Sequence, residues 1–203
     1  MALQLTISYL LLILAILELS NGQNDWQIGP FIKDDAVNPF MGPRNDTRFA
    51  CPVRKETIAW EAKDVFNPTA IVQNNVVKLF YRAEDYEGAY KGTSRIGLAI
   101  SSDGLNFTRI TSPIFFPDND TSLIYEWEGG CEDPRITLNE NGTYFMTYTA
   151  YNGSLARLMH PQIIQILHSG QNTAQFSKML MGEDLLTSGQ NLARLCQQLL
   201  MSP

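Results

Sequence analysis

One hairpin is written twice in this chain. The segment NPTAIVQNNVVKLFYRA, starting at Asn67, aligns with DPRITLNENGTYFMTYTA, starting at Asp133, 66 residues on. Each copy opens on Asn or Asp followed by Pro, passes a polar turn, and ends in an apolar and aromatic strand with Tyr81 matching Tyr148. A period of this size means one supersecondary unit used repeatedly, each copy burying its apolar face on its neighbour. Repeated antiparallel hairpins predict an all-β chain, and successive blades of a β-propeller fit the pattern, since equivalent positions are then carried round one axis. Asn67 and Asp133 are expected to face one pocket. Pro68 and Pro134 are expected to hold the residue before them in extended backbone.

Between and beyond the copies the pattern is the same. SRIGLAIS, the turn Ser102-Asp103-Gly104 and LNFTRI read as a further hairpin. Helical periodicity is absent up to Arg157, after which a Gln- and Leu-rich, helix-prone segment runs to Pro203. Two repeats cannot close a propeller of about four or more blades. The organisation expected is therefore a leader over 1–22, a partial propeller over 23–157, and a tail over 158–203 that does not belong to the fold and is readable as out-of-frame sequence. Ser169-Gly170 and Ser188-Gly189 sit where a shifted frame yields Trp. The chain as written is expected to be truncated and inactive.

The leader rests on the apolar run Ile7–Leu17 and the small-x-small site Ser20-Asn21-Gly22, with Gln23 as mature N-terminus. The run is far short of the roughly 20 apolar residues that span a bilayer, so stable membrane association is not expected. Sequons begin at Asn45, Asn106, Asn119, Asn141 and Asn152 and agree with a secreted, extracellular protein. A net charge of -6 offers no basic field for phosphates, which excludes nucleic acid as a partner. Cys51 and Cys131 could pair in an oxidising compartment, leaving Cys196; no zinc-like Cys/His spacing exists.

The densest polar stretch is Glu126-Trp127-Glu128-Gly129-Gly130-Cys131-Glu132-Asp133-Pro134-Arg135. Glycoside cleavage needs a carboxylic acid to protonate the departing oxygen, and a neighbouring negative charge raises a carboxyl pKa toward that task. Glu132 beside Asp133 supplies such a neighbour, although alternation along a strand sends adjacent side chains to opposite faces. Arg82 and Arg95, at strand ends, suit sugar hydroxyls or an anion. From spacing alone, a surface salt-bridge network explains the same residues.

The strings FNPTAIV, LFYRAED, TSRIGLAISSDGLNFTR, YEWEGGCEDPRIT and GTYFMTYTAYNG, in this order over about Phe49 to Arg157, resemble glycoside hydrolase family 130. The resemblance implies a five-bladed β-propeller active on β-mannosides, a phosphorylase or, in some branches, a hydrolase. It makes Asp133, in the E-D-P-R motif, the general acid. Asn67 and Arg82 hold the sugar at the cleaved bond, and Arg95, Glu132 and Arg135 line the pocket. Phosphate or water attacks the anomeric carbon with inversion, and the acid's proton reaches the leaving group through the substrate. No cofactor is implied beyond inorganic phosphate as co-substrate of a phosphorylase. The partner implied is a mannoside or oligosaccharide, and an extracellular setting tilts the balance toward hydrolysis. The competing expectation is a non-catalytic carbohydrate-binding module with Trp127, Tyr81 and Tyr151 stacking on sugars.

Overall fold

The computed structural model describes residues 29–140, 142–166 and 174–177, so the leader expected over 1–22 lies outside the described residues. The chain divides into two compact units, 1–38 and 39–203. In the first, a turn at 34–38 closes on Asp34, whose carbonyl accepts from the Val37 and Asn38 amides and whose Oδ1 accepts from the Ala36 amide.

The second unit is built from strands. A short hairpin, β1 (Phe49–Cys51) and β2 (Glu56–Ile58), precedes an eight-stranded sheet in the order β10-β9-β8-β7-β5-β4-β3, with β6 on β5. Its members are β3 (Asp64–Gln73), β4 (Val76–Glu84), β5 (Ser94–Ser101), β6 (Thr108–Arg109), β7 (Gly130–Leu138), β8 (Tyr144–Tyr151), β9 (Ala156–Ile166) and β10 (Ala174–Ser177); one short helix, α1 (Leu123–Glu126), precedes β7. Every pairing is antiparallel except one parallel contact, Ser94 of β5 against Gly130 of β7. The sheet is thus two antiparallel meanders, β3-β4-β5-β6 and β7-β8-β9-β10, joined among the described residues by a single ladder pair.

The sequence explains both repeated hairpins. Between β3 and β4, Asn74 and Asn75 take φ of 53° and 60°, the left-handed pair that a two-residue turn needs to match strand twist. Between β7 and β8, the Thr143 amide donates to Asn139 Oδ1 at 2.8 Å and Gly142 adopts a φ of 77°. Each first strand also carries a bulge, between Phe66 and Thr69 in β3 and between Glu132 and Arg135 in β7. The bulges fall on Asn67-Pro68 and Asp133-Pro134. Here the expected extended backbone is corrected, because Asn67 and Asp133 have φ of 46° and 48°. Asn and Asp are the non-glycine residues that best tolerate the left-handed region, and a proline in the bulge has no amide to leave unpaired.

Apolar alternation along β4 serves two cores. Phe80 joins Ile96, Leu98, Phe115, Cys131, Met146, Tyr148, Ala150 and Met159. Leu79, Tyr81 and Ala83 face the other way, onto Phe49, Cys51, Ile58 and Trp60 of the β1–β2 region. Cys51 and Cys131 therefore lie in separate clusters and form no bridge, which corrects the expected pairing.

The helix-prone reading does not hold where the tail begins. β9 runs from Ala156 through Leu158 to Ile166, with Leu158 opposite Thr149 and Met159 opposite Tyr148. The open edge of β8 offers a full ladder of backbone partners, and such pairing overrides a weak local helix preference. Apart from Ala174–Ser177, the tail beyond residue 166 lies outside the described residues.

Candidate functional site

The bulges aim side chains that simple alternation would separate. Displaced from the ladder, Asp133 turns toward the same arginine as its neighbour Glu132, and Asn67 turns toward Asp133 from the adjoining hairpin. Asn67 Nδ2 donates to Asp133 Oδ1 at 2.8 Å, and Arg82 Nη1 donates to the same oxygen at 3.2 Å. Arg82 Nη2 donates to Glu132 Oε1 at 2.9 Å and to Glu84 Oε1 at 2.6 Å, and its Nε donates to Ser94 Oγ at 3.0 Å. The Phe66 ring lies 4.4 Å beneath the guanidinium. One cation thus gathers three carboxylates, with all three nitrogens of its rigid fork donating and one face on Phe66.

A second row fixes the first. Lys63 Nζ donates to Glu84 Oε2 at 2.7 Å, and the Ser94 hydroxyl lies 3.0 Å from Glu84 Oε1. Side-chain exposure ranks the acids: Glu84 12% and Glu132 13%, against 35% for Asp133. Asp133 is the carboxylate a solute can reach.

The environments of Glu84 and the half-buried Glu132 push the two acids apart. Burial raises the Glu132 carboxyl above its ordinary value; Arg82 opposes this, while Asp133 and Glu84 add to it. Burial also acts to raise Glu84, but the hydrogen bonds from Lys63 and Arg82 outweigh it and hold that carboxyl low. The hydrogen bond to Glu84 in turn raises Lys63. Acids held apart in this way can take distinct proton-holding and charge-holding roles.

Of the residues read from sequence, the structure brings together Asn67, Arg82, Glu132 and Asp133. Arg95 does not join them. It is fully buried, donates to Asp85 Oδ2 at 2.6 Å and to the Thr93 carbonyl, and lies over Phe49. Alternation along β5 sends Ser94 to the site and Arg95 to the opposite face. Arg135 is exposed and donates to the Pro134 carbonyl, outside the cluster.

Glu84, Ser94 and Lys63 were missed. Glu84 stands two residues after Arg82 on one strand, hence on its face, and opposite Ser94 in register. The aromatic alternatives are also placed. Tyr81 is fully buried, with its hydroxyl donating to Glu61 Oε2 at 3.1 Å, so it cannot stack on a sugar. Trp127 lies under Arg54 and Tyr151 lies beside Tyr90. Among the described residues, no group of three or more His, Cys, Asp or Glu is placed to hold a metal ion.

Fold and site together define an all-β protein of repeated meanders whose bulged hairpins gather acids round one arginine. The chain belongs to glycoside hydrolase family 130: the family model described as β-1,4-mannooligosaccharide phosphorylase matches residues 42–182, past the limit expected at Arg157. The chain is 40% identical over 103 residues to a β-1,2-mannobiose phosphorylase of Thermoanaerobacter sp. (strain X514), which covers 46% of this chain and 32% of that protein. It is similar to a solved glycosyl hydrolase from Bacteroides ovatus, at 44% identity and a TM-score of 0.64, over 71% of this chain and 40% of the other. The same values relate it to a structure from work on glycoside hydrolases, within the family's mannoside phosphorylases, that target β-1,2 mannosidic linkages in Candida mannan. The chain spans about a third of the length of the curated relatives it matches.

Proposed function

We propose that this chain carries the acid-bearing part of an enzyme that cleaves β-mannosides with inversion, by phosphorolysis or hydrolysis. The observation that carries the reading is the convergence of Asn67 and Arg82, from one hairpin, on Asp133 Oδ1 of the next. Asp133 is the general acid, and Asn67 and Arg82 hold the sugar at the scissile bond. The two donors fix the carboxyl so that its proton is offered in one direction, and positioned proton transfer of this kind contributes about 10²–10⁴-fold. Glu132 and Glu84 both accept from Arg82 Nη2 and so anchor the guanidinium beside Asp133. In the phosphorolytic case the co-substrate is inorganic phosphate.

The proposal extends to a five-bladed propeller in which the two meanders are successive blades, and to secretion. Supporting secretion are the apolar run Ile7–Leu17 and the exposed sequon residues Asn45, Asn106 and Asn119.

The test is product analysis with β-1,2- and β-1,4-mannobiose, with and without phosphate. Mannose 1-phosphate marks a phosphorylase, and free mannose in phosphate-free buffer marks a hydrolase. Asp133→Asn should retain binding and lose about 10²–10⁴-fold in turnover. Equal turnover by the variant would sink the assignment of Asp133. Binding without turnover by the parent protein would favour a carbohydrate-binding module.

A further inference from the structure

The loop between β4 and β5 leaves the site at Glu84 and returns to it at Ser94, and both ends belong to the cluster round Arg82. Its sequence, Asp85-Tyr86-Glu87-Gly88-Ala89-Tyr90-Lys91-Gly92-Thr93, presents two large rings to solvent, with Tyr86 65% and Tyr90 50% exposed. Neither ring serves a core cluster.

The loop is pinned from below. Asp85 Oδ1 accepts from the Glu87 and Thr93 amides, Glu128 Oε2 accepts from the Ala89 amide at 2.9 Å, and the Lys91 amide donates to the Gly88 carbonyl. Gly88 lies so close to the Arg54–Glu128 ion pair that an added Cβ would fall 2.2 Å from Arg54 Nη2. Tyr90 is seated just as closely. Its ring lies against Gly153, where a Cβ would meet ring carbons at 2.1 Å, and its centroid is 6.3 Å from that of Tyr151. Tyr151 is the ladder partner of Gly130, three residues before Asp133. A rigid loop that exposes two tyrosines beside a polar site offers aromatic surface at little further loss of conformational entropy.

We propose that Tyr86 and Tyr90 form an aromatic subsite for a pyranose unit of an oligosaccharide lying beyond the two units joined at the scissile bond, one of which is held at Arg82, Asn67 and Asp133. The apolar C–H face of the ring lies on the tyrosines, and the exposed Glu87 and Lys91 border it with groups for its hydroxyls. The inference rests on the mannoside reading and adds to it a preference for chains longer than a disaccharide.

The experiment is calorimetric titration of the full chain with β-mannobiose and with β-mannotetraose of the same linkage, for the parent protein and for Tyr86→Ala, Tyr90→Ala and Arg82→Ala. The parent should bind the tetraose about tenfold more tightly than the disaccharide, near the upper end of what one aromatic contact contributes. Tyr86→Ala and Tyr90→Ala should remove that gain and leave the disaccharide affinity within about twofold, while Arg82→Ala should weaken both ligands. Tyr86 lies on the surface, so Tyr86→Ala keeps the test open even if Tyr90→Ala disturbs its packing. Binding of both ligands with no gain from length, or a gain that survives Tyr86→Ala, overturns the subsite alone. Failure of the parent to bind any mannoside overturns the mannoside reading and the subsite with it.

Discussion

The two repeated hairpins share a frame and differ in what they display on it. In each, a left-handed Asn or Asp before proline sits in a bulge, and a fully buried tyrosine donates to a buried glutamate: Tyr81 to Glu61 at 3.1 Å, Tyr148 to Glu126 at 2.5 Å. After the tyrosine the first copy has Arg82 and the second has Thr149; in the bulge the first has an amide and the second a carboxylate. Neither copy is a site alone. The shared features hold the strands in place, and the differences divide the chemistry, donors on one hairpin and the acid on the other. Burial differs as well: β4 packs on both faces, whereas β8 gives Met146, Tyr148 and Ala150 to a single core.

Giving the first copy the second copy's residue, Arg82→Thr, should have the largest effect on folding. It leaves Glu84, Glu132 and Asp133 without their common cation, and losing one partner of a mostly buried ion cluster costs about 3 kcal/mol. Urea unfolding reads the loss, and a change below about 1 kcal/mol would show that the hairpins do not depend on each other through this residue.

The tyrosines sharpen the comparison. Tyr148→Phe removes a short bond to Glu126 and should cost about 2 kcal/mol, whereas Tyr81→Phe should cost about 1 kcal/mol. The difference follows the bond lengths, 2.5 Å for Tyr148 and 3.1 Å for Tyr81. Thermal melts giving the reverse order would mean that the two pairs are not equivalent supports.

Protonation tests the carboxylates that flank Arg82. Glu84 is held low, so its contribution is present above the ordinary glutamate value and lost as pH falls through its folded value. Glu132 is held high, so the folded state binds its proton more readily, and the stability this provides fades as pH rises above the ordinary value. The stability of the parent relative to Glu84→Gln should therefore fall on acidification, and that relative to Glu132→Gln should fall on raising pH through the region just above the ordinary glutamate value. Denaturant titrations across that range with parallel slopes for both pairs would remove the distinction. The smallest effect belongs to Arg135→Ala, an exposed change outside the cluster, which should stay within about 0.5 kcal/mol in stability and leave disaccharide affinity unchanged.

Much of this frame was legible in the sequence, because strand periodicity, Asn-rich turns and the repeat are local signals. So were Asn67, Arg82 and Asp133, through motifs at matched positions. What escaped depended on geometry across strands. The left-handed bulges were hidden by a rule that treats proline as enforcing extension, and they undo the alternation that would have kept Glu132 and Asp133 apart. Arg95 and Ser94 are neighbours in sequence, and only the facing of β5 decides which one meets the acids. Glu84 was within reach, since YRAE places it on the face of Arg82. β9 was not, because its strand state depends on the ladder of β8.

Ser94 works as a shared reference mark. Its backbone pairs with Gly130 at the one ladder pair between the meanders among the described residues, where an added Cβ on Gly130 would fall 2.2 Å from the Ser94 carbonyl oxygen, and its hydroxyl lies among the acids round Arg82. Alignment between the meanders and spacing of the carboxylates are therefore measured from one residue. A chimaera that exchanges the second meander must bring a glycine at that seam.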